Sequence, residues 1–443
     1  MSTPPQNANT PKGHVDLLVA PKNSSHIGDQ IINDAQAATG GFSRTCKPSE
    51  RVASSVRWGK GYWFLGLTLA SLAHAGGSAP RPLLPDFVQP TSPVDCEVAS
   101  RTDGCRLRVA LPIVLNLRPG QWRALSGPDQ LTVIYRASGL PKALSVCCGL
   151  QLPMSPVRGT DLWGVTARVR DVQRAVIDLG VVVDGQFPQK LQSWRGENAP
   201  PAIQTLSPDK LQGQMHEFTL DSGSKLTGTR RISVYTPPGW TAQETLPAVY
   251  LADGAALSMA QVLEPAIRAG TAPRVVLVGI ESATSSSTEP HKDLRALEYL
   301  NGFENGQMYF EAHETFVLKI VIPYIEHDFH VLASPQGRVV GGFSNGAVWA
   351  ISMAARHSEL FRGVIALSPG WQPAIQIPDT QTRVFTSGGT LEPGFLRTAT
   401  EYATLIKASG GTVRLVKRVS GHDQIVWQEE FPGAVRFVLD QQK

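Results

Sequence analysis

At 443 residues, with 42% hydrophobic and 18% charged residues, the chain exceeds one ordinary domain and carries ample material for a large core, which excludes a disordered or coiled-coil protein. A net charge of +4 without a dense Lys/Arg cluster argues against a dedicated nucleic-acid binder and is compatible with an anionic small molecule.

Residues 1–75 read as a disordered leader that contains a signal-peptide-like segment at 57–75. The basic stretch Arg57-Trp58-Gly59-Lys60 precedes an apolar run from Tyr62 to Leu72, and Ala73-His74-Ala75 follows as an A-x-A cleavage site. The run is shorter than the ~20 residues of a membrane span, so no stable span is expected; the competing reading is a buried core helix. A signal peptide should open a chain, and the expectation is that translation starts near Val52 or Val56 and that the protein is exported, periplasmic or secreted. Cys46 precedes the cleavage point and leaves Cys96, Cys105, Cys147 and Cys148, an even number. Cys96 and Cys105 bracket a short polar loop and are placed to pair, although four cysteines allow three connectivities. If Cys147 and Cys148 lie on a strand, their side chains alternate and one of them points inward. No CxxC or His cluster accompanies them, and no metal or cofactor is implied.

Residues 76–94 form a Pro-rich linker. Across 95–203, short β-like runs at Arg106 to Leu111, Leu131 to Ala137, Ala143 to Cys148, Leu162 to Val169 and Ala175 to Val183 are separated by Gly, Pro and Asp. This pattern predicts a small immunoglobulin-like β-sandwich. It offers no chemical motif, and a binding or orienting role stands beside a purely structural one.

After Asn198-Ala199-Pro200-Pro201 the texture changes. Over 211–443, strand patterns at Met215 to Leu220, Arg231 to Thr236, Pro247 to Leu251, Arg274 to Ile280, Arg338 to Gly342, Gly363 to Leu367, Thr382 to Ser387 and Thr412 to Val419 are interspersed with helical ones. The helical stretches are Leu257 to Arg268, Met308 to His327, the segment after Ser344, Phe395 to Ala408 and Gln424 to Leu439. Such alternation predicts an α/β domain, a mostly parallel sheet with helices on both faces. The polar stretch Glu281 to Asn305 reads as a loop shaping a pocket.

In a parallel sheet, ligands meet the carboxyl ends of the strands, and three such ends carry chemistry. Gly342-Phe343-Ser344-Asn345-Gly346 joins a β-branched run to an apolar helix, a tight turn that holds a nucleophilic serine proud of its surroundings. The next ends carry Glu392 and then His422, giving the order serine, acid, histidine expected of an α/β-hydrolase. A serine hydroxyl needs a neutral imidazole to take its proton and a carboxylate to orient that imidazole. Asp379 and Asp423 compete with Glu392 for the acid role. The oxyanion is expected to bind the backbone N–H of Asn345 and that of Gly254 or Ala255. His313, His327, His330 and His357 read as surface or packing residues.

Pro247 to Gly254, Arg295 to Tyr299, Gly342 to Gly346 with Leu367-Ser368-Pro369-Gly370, and Ser420 to Asp423 with Trp427 resemble the esterase family that contains enterochelin and feruloyl esterases. The resemblance covers about 211–443, and the β-rich region with Gly159 to Trp163 is similar, more weakly, to the amino-terminal domain of enterochelin esterases. It implies an α/β-hydrolase fold, Ser344 as nucleophile, His422 as base and Glu392 in the acid position. The implied partner is a small-molecule ester, in the enterochelin branch a ferric siderophore. A feruloyl or acetyl carbohydrate ester and a catalytically silent siderophore- or glycan-binding relative are the alternatives. Arg295 and Glu298 read as a salt-bridged pair near the site.

Overall fold

The computed structural model describes residues 95–96, 103–113, 116–188, 190–283, 293–303, 306–371 and 375–440. The leader with its signal-like segment, Cys46 and the linker at 76–94 lie outside the described residues. Among the described residues, no helix is long and apolar enough to cross a membrane.

The amino-terminal part is built from β1 (Arg106–Leu107), β2 (Trp122–Gly127), β3 (Gln130–Arg136), β4 (Leu144–Cys148), β5 (Leu152–Pro153), β6 (Ser155–Pro156), β7 (Leu162–Arg168), β8 (Val176–Val183) and β9 (Gln192–Arg195). They form two antiparallel sheets, β1-β7-β3-β2 with β6 added to β7, and β5-β4-β8-β9. Between the sheets lie Leu131, Val133, Val146, Val165, Ile177 and Leu179, all buried. β2 and β9, whose sequences WRALSG and QSWR show no clean apolar alternation, are edge strands that stay half-exposed, so their weak pattern follows from their position.

Cys96 and Cys105 are joined by a disulfide, while Cys147 and Cys148 are free. The expectation that one of the vicinal pair faces outward fails. Both are buried in one small cluster with Val182, under Phe187 and Leu191, so this end of β4 has apolar cover where an outward face was expected.

The carboxyl-terminal part contains β10 (Gln214–Asp221), β11 (Thr229–Thr236), β12 (Ala248–Leu251), β13 (Val276–Ile280), β14 (Arg338–Phe343), β15 (Gly363–Leu367), β16 (Arg383–Gly389) and β17 (Thr412–Arg418). Their spatial order is β10-β11-β13-β12-β14-β15-β16-β17. From β13 to β17 every pairing is parallel, and β10 and β11 add antiparallel strands at one edge. The central strands AVYL, VLVGI and GVIAL are buried throughout, as sheets covered on both faces require, whereas the edge strand TVRLVKR is half-exposed, with Arg414 and Lys417 outward and Arg418 turned to Glu429 and Glu430.

The helices are α1 (Ala256–Arg268), α2 (Leu294–Tyr299), α3 (Gln307–Phe316), α4 (Ile322–Asp328), α5 (Asn345–Arg356), α6 (Pro393–Ala408) and α7 (Gln424–Leu439). One face of the sheet buries Phe310, Phe316, Trp349 and Tyr402; the other buries Met259, Leu263, Trp427 and Phe431. The helix expected from Met308 to His327 is interrupted by a π-type turn at Val317–Val321, just before Pro323, which has no N–H to continue the ladder. The stretch expected as a loop at Glu281 to Asn305 contains α2, capped by the Asp293 carboxylate, which accepts from the N–H of Ala296 at 2.9 Å.

The β14–α5 turn is tight because Gly342 and Gly346 have no side chains. A Cβ on Gly342 would stand 2.5 Å from the carbonyl oxygen of Gly346, and one on Gly346 would stand 2.7 Å from the Cβ of Ala252. Backbone cannot yield as a flexible side chain can. Gly342→Ala is therefore expected to lower the unfolding free energy by about 3 kcal/mol through overpacking, measured by urea denaturation; an unchanged midpoint would show that the turn has slack.

Candidate active site

Ser344 lies between β14 and α5 with φ 56° and ψ −127°, a backbone conformation costly for any residue but glycine. Its N–H donates to Leu367 O at 3.0 Å, and its carbonyl accepts from Gly370 N at 3.3 Å. The turn is thus held from the end of β15. Asn345 is the first residue of α5, where backbone N–H groups have no partner within the helix.

Glu392 sits just past β16 and is buried. Its Oε1 accepts from Ser368 Oγ at 2.6 Å and from Gly389 N at 2.7 Å, and its Oε2 meets His422 Nδ1 at 2.6 Å. Trp427 Nε1 donates in turn to Ser368 Oγ at 2.9 Å. His422 lies in the loop after β17, with Phe395 on one face (centroids 4.1 Å apart) and Trp427 edge-on at 4.7 Å. Its Nε2 is buried and has no hydrogen-bond partner among the described residues. Trp427 also stacks at 4.5 Å on Phe343, the residue before Ser344, so one indole packs against both the serine turn and the histidine.

The other carboxylates have different surroundings. Asp379 is exposed, and its side chain accepts from Gln381 N at 2.9 Å. Asp423 is fully buried but turns away from the imidazole: Oδ1 accepts from Asp178 N at 3.1 Å and Oδ2 from Gly421 N at 2.8 Å. In the sequence Ser368 is only one residue of the short stretch Leu367-Ser368-Pro369-Gly370, and its bond to Glu392 spans 24 positions. No sequence pattern signals that contact.

Gly254 and Ala255 lie in the turn Ala252–Gly254 and just after it, ahead of α1. Asp253, at φ 59°, donates its N–H to Tyr299 Oη at 3.0 Å, and Ala255 donates to Ala252 O at 3.3 Å. The Asp253 carboxylate receives Arg295 through Nε at 2.7 Å and Nη2 at 2.9 Å, a bidentate pair that fixes the turn. Arg295 and Glu298 are therefore not partners. Glu298 is buried and pairs with Arg230 at 2.5 Å, and it also accepts from Ala283 N at 2.8 Å. Both sit on the short helix α2, but they serve different strands. Burial holds the Glu298 carboxyl above its ordinary range despite Arg230.

Among the other histidines, His313 is fully buried against Tyr299 and Trp349, and burial pushes its pKa down to about 3, which leaves it a neutral packing residue. His327 is exposed beside Asp328, and His357 packs on Glu314 at 2.9 Å. Among the described residues, no group of three or more His, Cys, Asp or Glu side chains is arranged to hold a metal ion.

Residues 223–438 match the family described as "Putative esterase". The enterobactin esterase of Shigella flexneri, solved in the presence of enterobactin, superimposes with a TM-score of 0.55 at 15% identity, over 72% of this chain and 95% of that one. The ferric enterobactin esterase of Salmonella typhimurium gives 0.54 at 14% identity, over 72% and 96%. In sequence, the uncharacterised Bacillus subtilis (strain 168) protein YbbA is 28% identical over 146 residues, 32% of this chain and 57% of that protein. The chain thus spans little more than half the length of that curated relative. Over residues 223–438 the carboxyl-terminal domain is thus similar to that esterase family, and its fold resembles that of the enterobactin esterase structures. The 72% covered by the enterobactin esterase structures is more than this domain alone, so the likeness of fold extends into the sandwich.

Burial, reinforced by the neighbouring Asp178, raises Asp423 well above the ordinary 3.8 of its carboxyl. The folded state then binds more protons than the unfolded one, and this contribution to stability is present below that value and is lost as pH rises through the folded pKa. The stability difference between wild type and Asp423→Asn, from urea denaturation at several pH values, should accordingly shrink from pH 4 upward. A difference that grows with pH would reverse the sign.

Proposed function

We propose that the protein is a serine esterase that cleaves carboxylic esters through an acyl-enzyme, with Ser344 as nucleophile, His422 as base and Glu392 as the orienting acid. The single observation that carries this reading is the Glu392–His422 bond at 2.6 Å, with the far ring nitrogen unpartnered in a buried position after β17. Ser344 Oγ attacks the ester carbonyl and gives its proton to His422 Nε2. Glu392 holds the Nδ1 tautomer and stabilises the imidazolium. The oxyanion is met by the backbone N–H groups of Asn345 and Gly254, since the N–H of Ala255 is taken by Ala252 O. His422 then protonates the departing alcohol, and water, deprotonated by the same imidazole, releases the acid and regenerates Ser344.

A siderophore ester is the first substrate to test, supported by the extension of the enterobactin esterase likeness into the sandwich. An enterochelin-like substrate would be a ferric catecholate trilactone. Export is the matching proposal for location, supported by the Arg57 to Ala75 segment and the Cys96–Cys105 disulfide. Amino-terminal sequencing of the exported protein should begin at Gly76; a sequence starting at Met1 or Ser2 would refute that proposal.

Ser344→Ala should lower kcat by at least about 10⁴-fold with the fold intact, and Glu392→Gln by about 10²-fold. Ser368→Ala should cost about tenfold, since one hydrogen bond to the acid is removed. Stopped assays on a catecholate trilactone, a feruloyl sugar and a short-chain aryl ester read both rate and preference. Turnover that survives loss of Ser344 would discard the mechanism. Absence of a phosphonate adduct on Ser344 in wild type would favour a binding protein.

A further inference from the structure

We infer that the sandwich domain is part of the catalytic apparatus, because Asp178 of β8 and Asp423 of the histidine loop lock that loop in place. The inference rests on the reading of His422 as the base and assigns Asp178 and Asp423 as positioning residues.

Residues 419–423, between β17 and α7, belong to neither element, so their conformation depends on what they touch. Three contacts come from the sandwich. Val176 N donates to Val419 O at 3.0 Å, ahead of the histidine. Asp178 N donates to Asp423 Oδ1 at 3.1 Å, directly after it. Ile425 N donates back to Asp178 Oδ2 at 3.2 Å, at the start of α7. Each carboxylate thus accepts from the other segment's backbone, and His422 lies inside the bracket. Asp178 is itself aimed by Ser193 Oγ of β9 at 2.6 Å.

The seam also leaves no slack. A Cβ on Gly421 would overlap the Gly149 carbonyl, and one on Gly149 would overlap the Asp423 carboxylate. Farther along, Arg195 of β9 pairs with the buried Glu429 of α7, which Arg418 also meets at 2.9 Å. Simple domain adhesion does not require the contacts to converge on the segment that carries the base. A displacement of about 1 Å at such a group costs on the order of 10²-fold in rate.

The test compares Asp178→Ala, Asp178→Asn and Ser193→Ala, with Asp161→Ala as control because it removes only an exposed pair with Arg136 at the other sheet. Each full-length variant is assayed for kcat and KM on a short aryl ester, melted by circular dichroism, and examined by proton NMR for the His422 Nδ1–H resonance. Asp178→Ala should lower kcat by about 10²-fold with KM within about threefold, and should broaden or shift the resonance. Asp178→Asn keeps an oxygen for Ile425 N and should restore kcat to within about tenfold of wild type. Ser193→Ala, at an exposed position, should fall between wild type and Asp178→Ala, and Asp161→Ala should match wild type. Should Asp178→Ala fail to fold, the Asn and Ser193 variants carry the comparison. Wild-type kcat and an unmoved resonance in folded Asp178 and Ser193 variants would overturn the inference, as would a rise in KM alone, which would place the sandwich in substrate binding. Turnover retained by Ser344→Ala would instead sink the esterase reading, and the resonance would still report whether Asp178 holds His422.

Discussion

A carboxyl group taken out of water must find hydrogen-bond partners, and Glu392 draws them from three parts of the chain. Ser368, after β15, and Gly389, at the end of β16, occupy one oxygen; His422, after β17, occupies the other. These are adjacent parallel strands, so one buried carboxyl group ties together three consecutive strand ends at the edge where an α/β sheet presents its ligand. Trp427 extends the set, donating to Ser368 and packing against both Phe343 and His422. The serine turn and the imidazole therefore share a wall, and neither can shift without disturbing the other.

Two further sets of polar contacts fix what this network does not reach. The Asp253–Arg295 pair holds the turn before α1, and the contacts among Asp178, Asp423 and Ile425 hold the loop before α7. The proposed donors and the proposed base thus stand on loops stapled by buried or half-buried carboxylates. In each case the staple reaches another element: α2 for the first and the sandwich for the second. Loops placed by a rigid scaffold in this manner bring catalytic groups to reproducible positions. Strand β8 of the sandwich meets the segment on which the proposed mechanism turns.

Much of the architecture was legible in the sequence because its signals are local. The strand-turn-helix around Ser344 shows itself by a β-branched run, flanking glycines and an apolar helix within some twenty positions, and the alternation of strands and helices from Met215 onward marks a parallel sheet. The weakly patterned edge strands β2 and β9 and the short helix α2 were not legible, since their stability comes from neighbours. The free pair Cys147 and Cys148 misled for the same reason: alternation along a strand says nothing about what covers its outer face.

By itself, then, the sequence determined the class of domain, the serine turn and the chain order of serine, carboxylate and histidine, all carried by short-range periodicity and turn chemistry. Only the tertiary structure shows which carboxyl group meets the imidazole. Glu392 faces the imidazole, Asp379 faces solvent and Asp423, next to the histidine in sequence, faces Asp178 instead. It also separated Arg295 from Glu298 and gave each a distant partner. The physical reason is that an ion pair or a buried hydrogen bond is a property of two residues brought together by folding. The Asp178–Asp423 contact joins positions 245 apart, a distance over which no sequence pattern speaks.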